Sequence, residues 1–221
     1  MTHTPLADLS LEDLRIALAP AVARAAVFDG WSEEAVRSAA FEAGVDEAVA
    51  LYAFSEGAMA MIAAWTAHID AAMVEALPAE LLAGLSIRER IRRQIRFRLE
   101  AQAGMEESLR SALSIMARPL NMAAAAKLAW HSADLMWRQA GDRAVDYNHY
   151  TKRMTLSAIY ASSLAVFMDD HSEDKADSWA FLDRRIEGVM RFEKLKSQLT
   201  PKAGMHFSPM RLLGRLRYPA H

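Results

Sequence analysis

The sequence predicts an all-α fold of nine or ten helices. Alanine, leucine, methionine and arginine, which are strong helix formers, dominate its 221 residues. No segment alternates apolar and polar residues for long, and β-branched residues are few. Hydrophobic residues make up 52% of the chain, which is enough for one sizeable core. We expect three parts: an N-terminal subdomain over 1–55, a main helical domain over 56–200, and a linker with a tail helix over 201–221.

Capping and breaking residues place the N-terminal helices. Ser10 is a cap for a helix that runs to about residue 28, and Pro20 is expected to kink or split it. Ser32 is a cap for a helix over 33–43, which Gly44 ends. A short third helix is predicted at 45–54.

The later helices follow from the same signals. Ser86 and Asn121 are expected caps, and glycine or proline ends most of the segments. The predicted ranges are 56–77, 87–103, 105–117, 122–140, 146–168 and 174–199. A short tail helix is expected at 205–217.

Charge and composition limit the compartments and the partners that can be expected for this protein. The formal net charge is −2, so no bulk attraction to nucleic acid is expected. Cysteine is absent, which suits a reducing compartment. The N-terminus resembles neither a signal peptide nor an Arg-rich transit peptide, and no run reaches the roughly 20 apolar residues of a membrane span. These observations predict a bacterial protein that is cytoplasmic, or peripheral on the inner membrane. A mitochondrial form would lie on the matrix side.

Residues 11–56 resemble the N-terminal helix-turn-helix domain of TetR-family regulators. The string AAVFDGWSEEAVRSAAFEAGVDEAVALYAF carries the resemblance, with an aromatic-x-x-Gly turn and Ala-Gly-Val before the third helix. Between residues 29 and 56, however, Arg37 is the single basic residue against seven acidic ones. DNA-binding domains neutralise phosphates with Lys and Arg. The helix-turn-helix is therefore interpreted as degenerate, and no nucleic-acid partner is expected.

Arginines crowd the segment from Arg88 to Arg98. The favoured interpretation is a solvated face that pairs with the acidic N-terminal subdomain. Recognition of phosphate or anionic lipid headgroups is the alternative.

The sequence carries no catalytic constellation. Its seven histidines form no His-x-x-x-His or Glu-x-x-His pair, and no phosphate loop or nucleophile elbow is present. The acidic run 169–174 lacks the ligand spacing of a calcium loop and is interpreted as a turn between helices. We therefore expect a protein that is not an enzyme, with no catalytic residue, metal or cofactor.

An apolar set on three helices is a candidate lipid pocket, in a chain with 13 methionines. A filled core is the alternative interpretation, and a structural dimer with such a core is the corresponding alternative function. The candidate lining residues are Met59, Ile62, Trp65, Met116, Leu120, Tyr160, Leu164 and Phe167.

The sequence of the tail predicts a basic amphipathic helix after a flexible linker, which is typical of a membrane-surface element. Packing on its own domain or on a dimer mate is the alternative. The expected membrane contacts are Met210, Arg211, Leu212, Leu213, Arg215, Leu216 and Arg217.

The stretch 135–153 joins two apolar helices through a turn with more aspartates and aromatic rings than a plain connection needs. Together with residues downstream, it resembles the lipid-binding accessory proteins of ubiquinone (coenzyme Q) biosynthesis, the ninth in the coenzyme Q series. The resemblance is strongest over 121–190. Its carriers are DLMW at 134–137, AGD at 140–142, Asp146, Asn148, Tyr150-Thr151, Arg153, Ile159-Tyr160, DSWAFL at 177–182 and Arg185-Ile186.

The resemblance implies a TetR-like fold without DNA binding and a homodimer that holds an isoprenoid or quinone-like lipid. A phospholipid is the other candidate lipid. It further implies presentation of quinone precursors to a di-iron hydroxylase at the membrane. The residues implied at the partner surface are Asp134, Met136, Trp137, Asp146, His149, Tyr150 and Arg153. His149 departs from the family pattern, which often has tryptophan there. A TetR-like ligand-responsive regulator remains the alternative function.

Overall fold

All regular structure in the described residues is helical, as the sequence predicts. A computed structural model describes Leu6, residues 9–142 and residues 147–199, with the side chains of 147, 148 and 190–199 left aside. The tail residues 200–221, including every expected membrane contact, lie outside the described residues, and so does Asp146.

Ten α-helices make up the described chain. A short 3₁₀ turn, Glu173–Lys175, precedes the last of them. The helices are α1 (Leu11–Asp29), α2 (Glu33–Ala43), α3 (Glu47–Ala53), α4 (Ala58–Ala76), α5 (Ala79–Ala83), α6 (Ile87–Glu100), α7 (Glu106–Met116), α8 (Met122–Gln139), α9 (Tyr147–Asp169) and α10 (Ala176–Leu199).

Most helix starts lie where the capping residues predict them. The hydroxyls of Ser10, Ser32 and Ser86 each accept a hydrogen bond from a backbone N–H in the first turn. Asn121 behaves differently, because its side chain donates to the carbonyl of Ile115, 2.8 Å away, and makes no cap bond to α8. Pro20 lies inside α1 without splitting it. The short helix α5 was not predicted.

One connected core runs through the bundle. Helix α1 packs against α2 and α4, α4 continues to α6 and α8, α8 packs on α9, and α9 packs on α10. Trp31 and Trp65 pack against each other in this core with ring centroids 5.4 Å apart and ring planes tilted by 40°, and the indole of Trp31 donates to the carbonyl of Ser108. Each fully buried large apolar side chain contributes about 1.5–3 kcal/mol.

Four arginines of α6 pair with α10 or with their own helix, so the expected pairing with the N-terminal subdomain is wrong; they are Arg88, Arg92, Arg93 and Arg96. Arg88 binds Glu187 at 2.8 Å, and Arg92 binds Asp183 at 2.7 Å. The guanidinium of Arg96 lies 4.5 Å from the ring centroid of Trp179. The cause is the packing: α6 and α10 run antiparallel, and their partners recur every four residues.

Arg98 alone of this arginine row is fully buried. Its guanidinium forms an ion pair with Asp70 of α4 and hydrogen-bonds the hydroxyl of Ser132 on α8. Ser132 in turn donates to Asp70 at 3.0 Å. This buried triad fixes α4, α6 and α8 to one another.

Within the described residues, no single helix has the length and apolar composition to cross a membrane. Helices α3 and α4 meet that criterion only when joined, and the chain bends by 90° between them.

Candidate functional site

The turn between α8 and α9 is organised by the buried guanidinium of Arg153. Its Nε donates to Asp134 Oδ1 at 2.6 Å, and its Nη1 donates to Asp142 Oδ2 at 3.1 Å. The same Nη1 donates to the carbonyl of His149. Lys152 donates to the other oxygen of Asp142 at 2.6 Å. Arg153 on α9 therefore joins the end of α8 to the start of its own helix.

The local electrostatics keep Asp134 ionised. Burial alone would raise the pKa of its carboxyl group. The hydrogen bond and charge of Arg153, with contributions from Arg138 and His149, outweigh that effect and lower the pKa below its ordinary value. Arg138 approaches Asp134 Oδ2 at 2.8 Å and is itself largely exposed. The network thus begins inside the bundle and ends at its surface.

Aromatic side chains cover one flank of this network. Trp130, His149 and Tyr150 form a triangle with ring centroids 5.2–6.0 Å apart. Trp137 donates from its indole N–H to the carbonyl of Lys152 at 3.0 Å. A rigid ring cluster beside a fixed ion-pair network is a surface suited to protein recognition, because little side-chain freedom is lost on binding.

The structure separates the expected partner residues into exposed and buried ones. Tyr150 is 58% exposed, whereas Trp137 and His149 are half-buried. Met136 and Arg153 are buried, with 0% and 2% of their surface accessible. Neither side chain reaches the surface in this structure, and the place of both residues at or near a partner surface stays a prediction. They hold the surface in place from beneath it.

Three further residues belong to the site although they were not among the expected partner residues. Asp142 bridges Lys152 and Arg153, Trp130 completes the aromatic triangle, and Met154 is 65% exposed one turn after Tyr150. The helical spacing of the sequence could have identified two of them, Trp130 and Met154. Trp130 precedes Asp134 by four residues, and Met154 follows Tyr150 by four, so each pair shares a helix face.

The expected lipid-pocket residues lie in different places. Leu120 is 97% exposed in the connection between α7 and α8, so its assignment to an interior pocket is wrong for this structure. Trp65 packs against Trp31, whereas Phe167 packs its ring against Trp179, 5.9 Å away between centroids. The buried members of the set are Ile62, Trp65, Leu164 and Phe167, and the half-buried members are Met59, Met116 and Tyr160.

Tyr160 lies against a polar part of the core. Its hydroxyl accepts a hydrogen bond from Gln102 Nε2 at 3.0 Å, and its ring faces the guanidinium of Arg98 at 4.8 Å. Ser163, one turn further along α9, is buried with its hydroxyl unpaired. The interior between α6 and α9 therefore contains hydrogen-bonding groups as well as apolar surface.

A cavity of about 400 Å³ opens elsewhere, where the end of α1 meets the α6–α7 and α9–α10 turns. Its wall contains the ion pairs Arg110–Asp169 and Lys175–Glu106, and none of the expected lipid-pocket residues lines it. This cavity is charged rather than apolar. Among the described residues, no three His, Asp or Glu side chains are placed to hold a metal ion.

The helix-turn-helix region has no free cation. Arg37 is bound by three carboxylates, those of Glu33, Glu34 and Glu47, at 2.9–3.1 Å. Helix α3, at the position of a recognition helix, has seven residues and carries no Lys or Arg. Arg15 and Arg24 on α1 also pair with Glu56 and Glu42, so the arginines of residues 11–56 are all engaged by carboxylates rather than presented to a phosphate backbone.

The part of the chain that carries the α8–α9 site is also the part with recognisable relatives. Residues 122–193 match the family model described as COQ9. The "Ubiquinone biosynthesis protein COQ9, mitochondrial" of Rattus norvegicus is 40% identical over 88 residues, which are 40% of this chain and 28% of that protein. The Homo sapiens protein of the same name is 39% identical over 88 residues, with the same coverage.

A more distant relative gives a longer match. The "Probable ubiquinone biosynthesis protein coq9, mitochondrial" of Dictyostelium discoideum is 27% identical over 126 residues, 57% of this chain and 41% of that protein. Across these three relatives, the alignments span between 28% and 41% of the relative's length. The predicted resemblance to the ubiquinone-biosynthesis family is confirmed, and it centres on α8, α9 and α10.

The fold has a relative among solved structures. The crystal structure of the TetR transcriptional regulator from Nitrosomonas europaea ATCC 19718 matches 81% of this chain and 99% of its own, with a TM-score of 0.64 and 21% identity. At that identity the likeness concerns the fold alone. It confirms the predicted TetR-like helical architecture.

Proposed function

We propose that this protein is a non-enzymatic, lipid-binding accessory protein of ubiquinone biosynthesis. In this proposal it binds isoprenoid quinone intermediates and presents them to the di-iron demethoxyubiquinone hydroxylase at a membrane surface. The observation that carries the proposal is the coincidence of two findings. The residues that match the COQ9 model are those that build the Arg153 network and the exposed Tyr150–Met154 surface.

The location belongs to the proposal as well. The relatives named above are mitochondrial proteins by name. We propose peripheral attachment to the inner membrane, from the cytoplasmic side in a bacterium or the matrix side in a mitochondrion. The basic tail, expected from sequence to be amphipathic, is the attaching element.

The partner surface is tested by substitution of its exposed residues. We expect Tyr150→Ala and Met154→Ala to weaken binding of the purified hydroxylase by about tenfold or more each, since central aromatic and apolar anchors contribute most to interfaces. Tyr52→Ala on α3 is the matched control, because Tyr52 is 67% exposed on the acidic subdomain. Equal binding by all three variants and the parent would overturn the assignment of this surface.

Lipid binding is tested separately, on the parent chain. Native mass spectrometry after incubation with an isoprenoid quinone should detect one lipid per chain. Ser163→Leu enlarges a buried side chain on α9 and replaces its unpaired hydroxyl, and it is expected to reduce that occupancy. A chain that stays empty after incubation would favour the alternative of a structural dimer with a filled core.

The proposed homodimer has a candidate face on the same two helices. Exposed apolar residues recur along α9 at three- or four-residue spacing, and α8 exposes others. They are Tyr150, Met154, Ala158, Ala161 and Ala165 on α9 and Met122, Ala126 and Ala129 on α8. We expect Ala161→Glu to produce monomers in sedimentation. Since Tyr150 and Met154 continue this row, the oligomeric state must be measured in every hydroxylase-binding sample.

A ligand-responsive regulator is the second candidate, favoured by the TetR-like fold. The triple neutralisation of Arg37 argues against it. An electrophoretic shift assay at low salt decides between the two: tight and sequence-selective DNA binding would replace the accessory proposal.

A further inference from the structure

An exposed apolar patch lies at one end of the bundle, where α4, α5 and α6 succeed one another. Val74, Leu81 and Ile87 are 40%, 53% and 54% exposed. We call these three residues the turn patch. They belong to three consecutive helices within 14 residues of the chain, and exposed apolar residues grouped in this way mark interaction sites.

The turn patch rests on a fixed base. Gln139 of α8 donates to the carbonyl of Leu77 at 2.7 Å. Arg90 directs its guanidinium to three backbone carbonyls, those of Ala83, Leu85 and Ala140. These bonds tie the α4–α6 segment to the end of α8, so the patch keeps its shape in the absence of a partner.

The last helix leads the chain towards this end of the bundle. Along α6 the partners run backwards, from Arg96 through Arg92 to Arg88. Along α10 they run forwards, from Trp179 to Glu187. Beyond Glu187, α10 therefore passes the first residue of α6. Its remaining 12 residues extend about 18 Å at 1.5 Å per residue.

The residues that follow α10 are 200–221. Their first five residues, 200–204, can span about 17 Å when extended. Since α10 carries the chain about 18 Å beyond Glu187, a linker of this reach that turns back can bring the apolar residues near 210–216 to the turn patch. The position and length of the chain beyond Leu199 thus fit an occupant from the same molecule.

Charge favours the same occupant. From residue 71 to 87 the only charged residues are Glu75 and Glu80, both exposed and without an ion pair among the described residues. The tail 200–221 contains four Lys or Arg and no acidic residue. The two carboxylates attract such a segment, whereas they oppose the approach of an anionic membrane to the patch.

We propose that, away from a membrane, the tail docks with its apolar side on the turn patch of its own chain. A membrane then competes with the patch for the same apolar residues. The tail is bound either to the protein or to the lipid surface, and membrane attachment is coupled to uncovering of Leu81 and Ile87. This inference goes beyond the proposed accessory function and does not depend on quinone or hydroxylase binding.

Disulfide trapping tests the docking directly, because the chain has no cysteine. Leu81→Cys combined with Leu213→Cys should oxidise to an intramolecular disulfide about tenfold faster than Phe41→Cys combined with Leu213→Cys, owing to a higher effective concentration. Phe41 is the matched control, since it is 91% exposed on α2. Equal rates for the two pairs would overturn the proposal.

Mixing single-cysteine chains separates the possible sources of a crosslink. A disulfide between the Leu81→Cys chain and a separate Leu213→Cys chain, formed as fast as in the double variant, would assign the contact to a second copy and refute docking within one chain. Vesicles of phosphatidylcholine and phosphatidylglycerol should suppress the intramolecular crosslink. A rate that vesicles leave unchanged contradicts the competition.

Vesicle affinity provides an independent measurement. Leu81→Ser weakens the competing site, so it should raise the vesicle affinity of the full chain about threefold. In a chain that ends at residue 199, the same substitution should have no effect. A loss of vesicle binding on Leu81→Ser in either chain would show that the turn patch itself contacts lipid, and would refute the proposal.

Discussion

Replacement of Arg153 by methionine is the most informative single perturbation of the α8–α9 site. Methionine keeps much of the buried volume of the arginine stem, so the change removes the guanidinium with little loss of packing. Three hydrogen bonds disappear, to Asp134, Asp142 and the carbonyl of His149. Two carboxylates lose the cation that lies between them.

The expected cost follows from the burial of the partners. The side chains of Arg153, Asp134 and Asp142 are 2%, 16% and 7% exposed. Removal of one member of a buried ion pair costs about 3–5 kcal/mol. Arg138 still binds Asp134 and Lys152 still binds Asp142, which places this case near the lower limit. We expect a loss of about 3 kcal/mol in the free energy of unfolding at pH 7.

The loss should depend on pH. In the parent chain the folded-state pKa of Asp134 lies below its unfolded value. Its contribution to stability is therefore complete above the unfolded pKa and declines as pH falls through the folded one. In the Arg153→Met variant, the two carboxylates have lost the buried cation between them and destabilise the folded state at neutral pH, and protonation relieves this. Both effects make the difference between parent and variant shrink from pH 7 to about pH 4.

Urea unfolding at several pH values measures this difference, and thermal unfolding should give a Tm lower by about 6–12 °C at pH 7. Arg24→Met is the control, because Arg24 and Glu42 form a surface pair with both side chains more than half exposed. Its effect should stay within about 1 kcal/mol. A difference for Arg153→Met below 1 kcal/mol, or one unchanged between pH 7 and pH 4, would refute the assigned role of the network.

Other positions give sharp expectations as well. Asp70→Asn leaves Arg98 buried without its counterion and should cost about 3 kcal/mol or more in urea unfolding. Asp170 accepts four hydrogen bonds that hold its pKa well below the ordinary range. Asp170→Asn should therefore destabilise the fold above about pH 4, by an amount that declines at lower pH. Gly141 has φ +92°, so Gly141→Ala should cost about 1–2 kcal/mol, whereas Gly188→Ala within α10 should stabilise by about 0.5–1 kcal/mol.

Each of these expectations has its own contradicting result. A rise in stability on Asp70→Asn would mean that the Asp70 carboxylate destabilises the fold, even though its removal leaves Arg98 as an unpaired buried charge. If the stability lost on Asp170→Asn did not change with pH, the hydrogen bonds of Asp170 would stabilise the fold independently of its ionisation. Equal effects of alanine at the two glycines would remove the backbone argument for Gly141.

The helices could be predicted because their signals are local. Ser32 and Ser86 cap helices through contacts three residues away, and Gly44 ends α2 in the left-handed conformation that favours glycine. The TetR-like architecture followed from a recognisable N-terminal pattern. The same reasoning overstated Pro20, which the continuous helix α1 accommodates.

The site could be located from sequence but not sorted into surface and interior. The family resemblance over 121–190 implied that Asp134, Trp137 and Arg153 belong to one site. Whether a side chain faces solvent depends on which helix packs above it, and that is information from distant residues. Met136 and Arg153 were therefore expected at a surface that they only support. Leu120 was grouped with other apolar residues as a candidate pocket lining, although it lies in an exposed connection.

The arginine row of α6 illustrates the same limit. Its charge was evident, and its partners were not. The acidic N-terminal subdomain was the expected partner of these arginines. The observed partners are Asp183 and Glu187 of α10, about 90–100 residues further along the chain. Long-range register between two helices cannot be derived from the composition of either one.

Helix α6 is bonded to two distant parts of the molecule, the end of α8 and the helix α10. Arg90 holds the end of α8 through Ala140, and Arg88 and Arg92 hold α10. A shift of α6 along its axis therefore moves the start of the α8–α9 turn and the base of the tail in the same direction.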